Sequence, residues 1–287
     1  MYDTVLHAAA SLAYAVLALA AYWRVTHAAT SGSGSKTSIG ERVALVAAVV
    51  VHGVALYQHV VEPDGLRFGF AVAVSATLWL GMIFFSIESL LVPIDGLRLL
   101  LLPVSSVVSL LPLVLAHGRV VPHTGYAIFI PHLAIAFLAY SLITIAALHA
   151  LLMMALDRRL HQGNMLGDAT TAGPLTRFVR TVLDQLPSLL TMESLLFRLI
   201  GVGFVALTAT VVTGVMFTEA VFGRPLRFDH KTVFTILSWM AFGALLIGRW
   251  QRGWRGRTAL RFTLGGFAML LLAYAGSRFV LEVILQR

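Results

Sequence analysis

Cysteine is absent from this 287-residue chain, and charge is scarce, with 12% of residues Asp, Glu, Lys or Arg, where soluble domains carry about a quarter. The lack of cysteine excludes a disulfide framework, thiol redox chemistry, iron–sulfur ligation and any prosthetic group tethered through Cys-x-x-Cys-His. The lack of charge excludes an ordinary water-soluble fold. Also missing are a Lys or Arg in Met1-Tyr2-Asp3-Thr4, ahead of the first apolar run, and a small-residue cleavage signature at signal-peptide distance. That start reads as a retained membrane span.

What is present is apolar: 59% of residues are hydrophobic and mean hydropathy is +0.87. A spanning helix needs about 20 mostly apolar residues, and windows of that length recur along the whole sequence. The pattern predicts an all-α protein, a single membrane domain over 1–287 built as a polytopic bundle of about eight spans. They fall near 4–23, 43–61, 68–91, 98–116, 127–156, 194–220, 232–249 and 259–284. The breaks carry turn chemistry, as in Glu62-Pro63-Asp64-Gly65, Pro93-Ile94-Asp95-Gly96, Gly223-Arg224-Pro225 and Arg252-Gly253-Trp254.

Basic residues set the sidedness. One set of loops and span ends holds fourteen Lys and Arg, the opposite set seven, so the positive-inside rule places both termini outside. The net charge of +8 and pI near 10.4 then serve orientation and contact with anionic headgroups, and lipid rather than nucleic acid is the expected partner. The one long connection, 157–193, lies on the cytoplasmic side. Within it Leu175-Thr176-Arg177-Phe178-Val179-Arg180-Thr181-Val182-Leu183 alternates basic and apolar residues as an interfacial amphipathic helix does. Thr191 and Glu193 read as the capped start of the next span.

Ten histidines stand out in so apolar a chain, since polar groups inside a membrane persist where they have partners or a function. His52 lies ten residues beyond Arg42, about 15 Å along a helix and near the midplane. His59, His117, His123, His132 and His230 gather toward the outer side, whereas His7, His27 and His161 read as peripheral. Neutral imidazole is the commonest axial ligand of haem iron, and a cleft between helices suits a porphyrin. A di-haem electron carrier is disfavoured: the pairs within one span are seven apart (His52, His59) or seventeen apart (His132, His149), not thirteen or fourteen. No nucleophile–base pair or Gly-rich phosphate loop appears, so no enzymatic constellation is assigned.

Several stretches resemble the cytochrome c assembly membrane proteins, the CcsA/CcmC group, and within it the smaller HemX-like and YpjD-like branch. They include Pro131-His132-Leu133 with Tyr140-Ser141, and Leu186-Pro187-Ser188-Leu189 followed by Glu193, Phe197-Arg198-Leu199-Ile200-Gly201 and Thr213-Gly214. The closing run Gly253-Trp254-Arg255-Gly256-Arg257 and Gly265-Gly266-Phe267 is similar too. The resemblance implies an inner-membrane protein that handles haem at its outer face, with His132 as an iron ligand; the lack of cysteine makes any such binding non-covalent, and His52 or His230 is the candidate second ligand on this chain's own pattern.

Two departures accompany it. Where haem-handling members carry Trp-Gly-x-x-Trp-x-Trp-Asp, this chain reads Phe222-Gly223-Arg224-Pro225-Leu226-Arg227-Phe228-Asp229-His230-Lys231. Phe222 and Phe228 keep apolar rings for a porphyrin face, Arg227 suits a propionate, and Asp229 keeps its register. No histidine follows the last span, where synthase-type members place one. The expected role is haem binding in cytochrome c assembly or haem trafficking, with haem, lipid and assembly or tetrapyrrole-pathway proteins as partners. The alternative is a membrane regulator or scaffold acting on tetrapyrrole synthesis through 157–193.

Overall fold

The long apolar runs form the helices, several of them with glycine or proline inside. In the computed structural model, which describes residues 2–31, 37–62, 65–92, 94–115, 119–121, 129–162, 173–222 and 230–276, α1 spans Tyr2–Ser31 with neither residue inside it. Helix α2, Ile39–Val60, begins where the Ser38 hydroxyl accepts the Glu41 amide at 3.1 Å, satisfying one of the open first-turn donors. Helix α3 covers Phe70–Leu91 and α4 Asp95–Val108. Pro103 lies inside α4, and Pro112 opens the short α5, Leu111–Val114. Helices α6, Phe129–Gln162, and α8, Leu189–Phe222, are 34 residues each, and α7, Pro174–Asp184, lies between them. The chain then forms α9, His230–Arg252, α10, Gly256–Leu271, and a π-helical turn at Leu272–Gly276.

Seven of these segments are long and apolar enough to cross a membrane: Thr4–His27, Ile39–Val60, Phe70–Leu91, Asp95–Val114, Phe129–His161, Leu189–Met216 and His230–Arg252. The eighth expected span corresponds, among the described residues, to α10 and the π turn. The fold is therefore an all-α polytopic bundle, with one small addition that hydropathy does not reveal. Strands β1 (Val61–Glu62), β2 (Gly65–Phe68) and β3 (Arg119–Val121) form an antiparallel sheet, with Glu62 opposite Gly65 and Leu66 opposite Val121. At the arginine-poor end this pairing satisfies backbone groups that helices cannot reach. An Arg67–Glu62 ion pair ties the first hairpin.

Lipid tails are as apolar as leucine, so helices associate here by close packing and interhelical hydrogen bonds. The most extensive seam joins α6 and α8. To the shared core α6 contributes buried Ala139, Leu142, Ile143, Ala146 and Ala150 and α8 buried Leu196, Ile200 and Leu207, and a Cβ on Gly203 would come within 3.1 Å of Ile143 Cγ1. Helices α1, α2 and α4 pack as a second group, and α3 joins the two by packing on α6. There the Ser141 hydroxyl donates to the Thr77 carbonyl at 2.9 Å. Helix α10 returns along α9, where the Ser238 hydroxyl donates to the Gly266 carbonyl at 2.8 Å and Phe242 covers the bare glycine.

Helix α7 is docked, not free. Val182 and Leu183 are buried, Phe178 packs on Tyr22 of α1 at 6.1 Å, and Arg159 of α6 pairs with Asp184 at 2.6 Å. Contact with α4 depends on Gly96, whose amide donates to the Gln185 carbonyl at 3.3 Å and whose Cβ, were there one, would stand 2.6 Å from the Val182 carbonyl oxygen. Backbone cannot yield there as a side chain could. Gly96→Val is expected to displace α7 and cost about 1–3 kcal/mol, the range for overpacking a filled site. Limited proteolysis checks it: cleavage near 174–184 should accelerate severalfold, and a wild-type digestion rate would refute the docking.

The start of α8 differs from expectation. The helix begins at Leu189, and the Ser188 hydroxyl, not Thr191, receives an end amide, that of Thr191 at 3.3 Å. Glu193 is turned to another task, pairing with Arg249 at 2.6 Å and Arg255 at 3.3 Å. Spacing alone makes Glu193 look like a cap because Thr, Glu and an apolar run occur in the same order in both arrangements.

Candidate functional site

Two polar clusters occupy the arginine-poor half of the bundle. The first lies on the seam of α6 and α8. Pro131 in the first turn of α6 costs no hydrogen bond, because the first four amides of a helix have no partner within it, and it places His132 facing α8. His132 Nδ1 lies 2.8 Å from the Thr213 hydroxyl. That hydroxyl has one proton and gives it to the Ala209 carbonyl at 2.7 Å, so toward His132 it accepts. In that arrangement a neutral imidazole donates from Nδ1 and keeps the lone pair on Nε2. Gly214 keeps the neighbouring space open: a Cβ there would stand 3.3 Å from His132 Cε1.

Two further elements close around this histidine. Lys231, in the first turn of α9, is near enough to interact with His132 electrostatically, and its ammonium sits 5.7 Å above the Tyr274 ring. Tyr274 belongs to the π turn and meets Tyr140 of α6 edge-on at 6.3 Å. The Tyr140 hydroxyl donates to the Leu270 carbonyl at 2.9 Å, a group near the point where the regular α10 ladder gives way to π geometry. Four elements thus bring together a half-buried imidazole, a cation and two phenol rings. His230 begins α9 and is exposed beside Lys231. Arg227, Phe228 and Asp229 lie outside the described residues, as do His117, His123 and the side chain of Phe222.

The second cluster lies among α1, α2, α3 and α4. His52 is fully buried, with Nε2 at 2.9 Å from the Ser75 hydroxyl and Nδ1 at 3.4 Å from the Tyr14 hydroxyl. Both of its ring nitrogens are occupied. His7, expected to be peripheral, is instead fully buried, with Nδ1 at 2.7 Å from the Ser109 carbonyl. Its ring stands 6.5 Å from that of His52 and 5.7 Å from that of His59, both edge-on. Hydropathy places His7 near a chain end and gives no warning that α4 covers it. The signal available was the pairing of polar residues in facing helices: Ser11, one turn beyond His7, donates to the Ser106 carbonyl at 2.8 Å.

His52 and His132 thus belong to separate sites, the first bonded to α1 and α3 and the second to α8. His149 takes the bland alternative for an intramembrane histidine, with Nδ1–H donating to the Ile145 carbonyl one turn back at 3.0 Å. His27 and His161 are exposed, in line with a peripheral position. Glu88 is half-buried, and Arg198 is near enough to interact with it electrostatically. Among the described residues, no group of three His, Cys, Asp or Glu side chains is placed to hold a metal ion.

The fold and these sites define a class, that of multi-pass helical membrane proteins with histidines placed inside the bundle. The chain belongs to the cytochrome c assembly protein family, whose model matches residues 5–285. Among its relatives, the inner membrane protein YpjD of Escherichia coli K12 is 29% identical over 153 residues, covering 53% of this chain and 52% of that one. An uncharacterized 28.8 kDa protein of Azospirillum brasilense is 33% identical over 54% of this chain and 52% of its own. The cytochrome c biogenesis protein CcsA of Guillardia theta is 27% identical over 52% and 50%. The chain thus spans about half the length of the curated relatives it matches. No solved structure matches. The apolar helices and the inner-membrane relatives together make this a multi-pass inner-membrane protein.

Proposed function

We propose that this protein binds haem non-covalently at the arginine-poor, outward end of the bundle and serves cytochrome c biogenesis or haem trafficking. The observation that carries the reading is the state of His132. Its Nδ1 lies 2.8 Å from the Thr213 hydroxyl, a bond that orients the ring as a neighbouring group does for a metal-ligating histidine. The residues around it fit the group. Lys231 supplies a cation for a propionate, Tyr274 and Tyr140 offer ring surface, and Gly214 removes a side chain that would crowd the imidazole. Bound haem would supply iron coordination and redox capacity; the chain's own part is to orient, enclose and neutralise it.

His230, adjacent to Lys231 at the start of α9, is the second ligand most easily brought to the same iron. Phe222, Arg227, Phe228 and Asp229 precede it in sequence and would complete the enclosure. His52 ranks below both, because iron would have to break a bond to Ser75 or Tyr14. The regulatory alternative relies on the 157–193 connection as a free docking segment, and the burial of Val182 and Leu183 commits its helix to the bundle.

Absorbance tests the reading. The full chain purified from cells supplied with haem should show a Soret band. Absence of that band, together with no His132-dependent spectrum on adding haem, would overturn it.

A further inference from the structure

We infer that the α9–α10 turn, at the arginine-rich end, is a binding site for the phosphate of an anionic glycerophospholipid, held by Arg252 and Arg261. Arg249, Arg252, Arg255, Arg257 and Arg261 fall within thirteen consecutive positions. Two carboxylates answer three of them: Glu193 pairs with Arg249 at 2.6 Å and with Arg255 at 3.3 Å, and Asp157 pairs with Arg257 at 3.2 Å. Arg252 and Arg261 are exposed and have no acidic partner among the described residues. The turn thus holds a surplus of positive charge after its internal pairing is complete.

That surplus sits on a rigid support. Gly253 and Gly256 take left-handed backbone angles, φ 64° and 54°, which glycine adopts without strain. The reversal returns the Trp254 indole onto Gly248, where a Cβ would stand 2.4 Å from the ring, and onto Phe262 at 4.9 Å. Arg249 lies 4.5 Å from the Phe197 ring centre. Guanidinium groups on such a support lose less freedom on binding than groups on a loose loop, and their fork matches phosphate oxygens bidentately.

The surroundings select a lipid over a soluble anion. Trp250, on the last turn of α9 among these arginines, is 85% exposed, a position typical of an indole resting at headgroup level. Ile247, one turn deeper, is 56% exposed, so an acyl chain has apolar surface next to the cations. Arg261 lies a full turn inward from Arg257 on α10, toward the apolar part of the bundle.

Native mass spectrometry of the full chain with equimolar phosphatidylglycerol and phosphatidylcholine tests the site. One phosphatidylglycerol is expected to be retained in preference by about tenfold, since two interfacial arginines at about 1 kcal/mol each correspond to that factor or more. Arg252→Gln/Arg261→Gln should bring the ratio close to one. Arg252→Lys/Arg261→Lys should recover part of it, which separates charge from misfolding. Arg42→Gln/Arg177→Gln, which removes equal charge from exposed positions at the same end, should leave the preference in place. No preference in the wild type, survival of preference in the Gln pair, or equal loss in the Arg42/Arg177 control would overturn the site. So would Arg252-dependent stabilisation by inorganic phosphate alone without lipid preference.

Discussion

His132→Ala is expected to abolish the Soret absorbance of the haem-loaded protein, whereas His52→Ala leaves the band in place. The difference follows from what each imidazole is already doing. His132 is half-buried with Nδ1 against the Thr213 hydroxyl, so the variant removes the proposed iron ligand and little packing. His52 is enclosed and bonded through both nitrogens. Its removal leaves Ser75 and Tyr14 without their partner and lowers stability by about 1–3 kcal/mol, the cost of an unsatisfied buried polar group. Thr213→Val tests the orienting bond directly. It should retain the band but weaken haem affinity about 10-fold or more, the usual penalty for losing a group that holds a metal-ligating histidine. A band that survives His132→Ala and disappears with His52→Ala, at unchanged protein stability, would move the site into the α1–α4 group.

The contrast between the two histidines also marks what could be read without coordinates. Hydropathy places the spans because the bilayer enforces one rule along the whole chain, that backbone polar groups be satisfied within a helix. Helix ends shift by several residues because caps and ion pairs decide them: Ser38 starts α2, Ser188 starts α8, and Glu193 serves Arg249 and not its own helix. That His132 stands near the start of a span was legible from Pro131 beside it, whereas its partner Thr213, 81 residues away, was not. Nor was the burial of His7, since it depends on Ser109, 102 residues away. Likewise the three-stranded sheet rests on pairing between Leu66 and Val121, a contact that no local pattern announces. Long-range partners, not local propensity, account for what was missed.

The largest stability effect is expected at the arginine-rich ends of α1, α2 and α4. Glu41 pairs with Arg24 at 3.2 Å and Arg98 at 3.5 Å, and Asp95 accepts from Arg24 at 3.3 Å and from the Thr37 hydroxyl at 3.1 Å. Arg98 in turn donates to Thr37 at 3.1 Å. The side chains of Arg24, Glu41 and Asp95 are 17–19% exposed and that of Arg98 5%, so water screens this network weakly. Glu41→Gln keeps the shape but leaves two arginines facing each other with Asp95 alone between them. Breaking a buried pair by removing one partner costs about 3–5 kcal/mol, and the residual exposure here favours the lower end. A fall of roughly 5–10 °C in the thermal midpoint of the detergent-solubilised chain is the expected reading. Desolvating four charges offsets much of their attraction, so the expected net contribution of the intact network is small. Replacing Arg24, Glu41, Asp95 and Arg98 together with apolar residues of similar volume should therefore recover most of what Glu41→Gln loses. If Glu41→Gln melts with the wild type, the three helix ends are held by packing alone. If the fourfold variant melts no higher than Glu41→Gln, the charges contribute net stability and the desolvation argument fails.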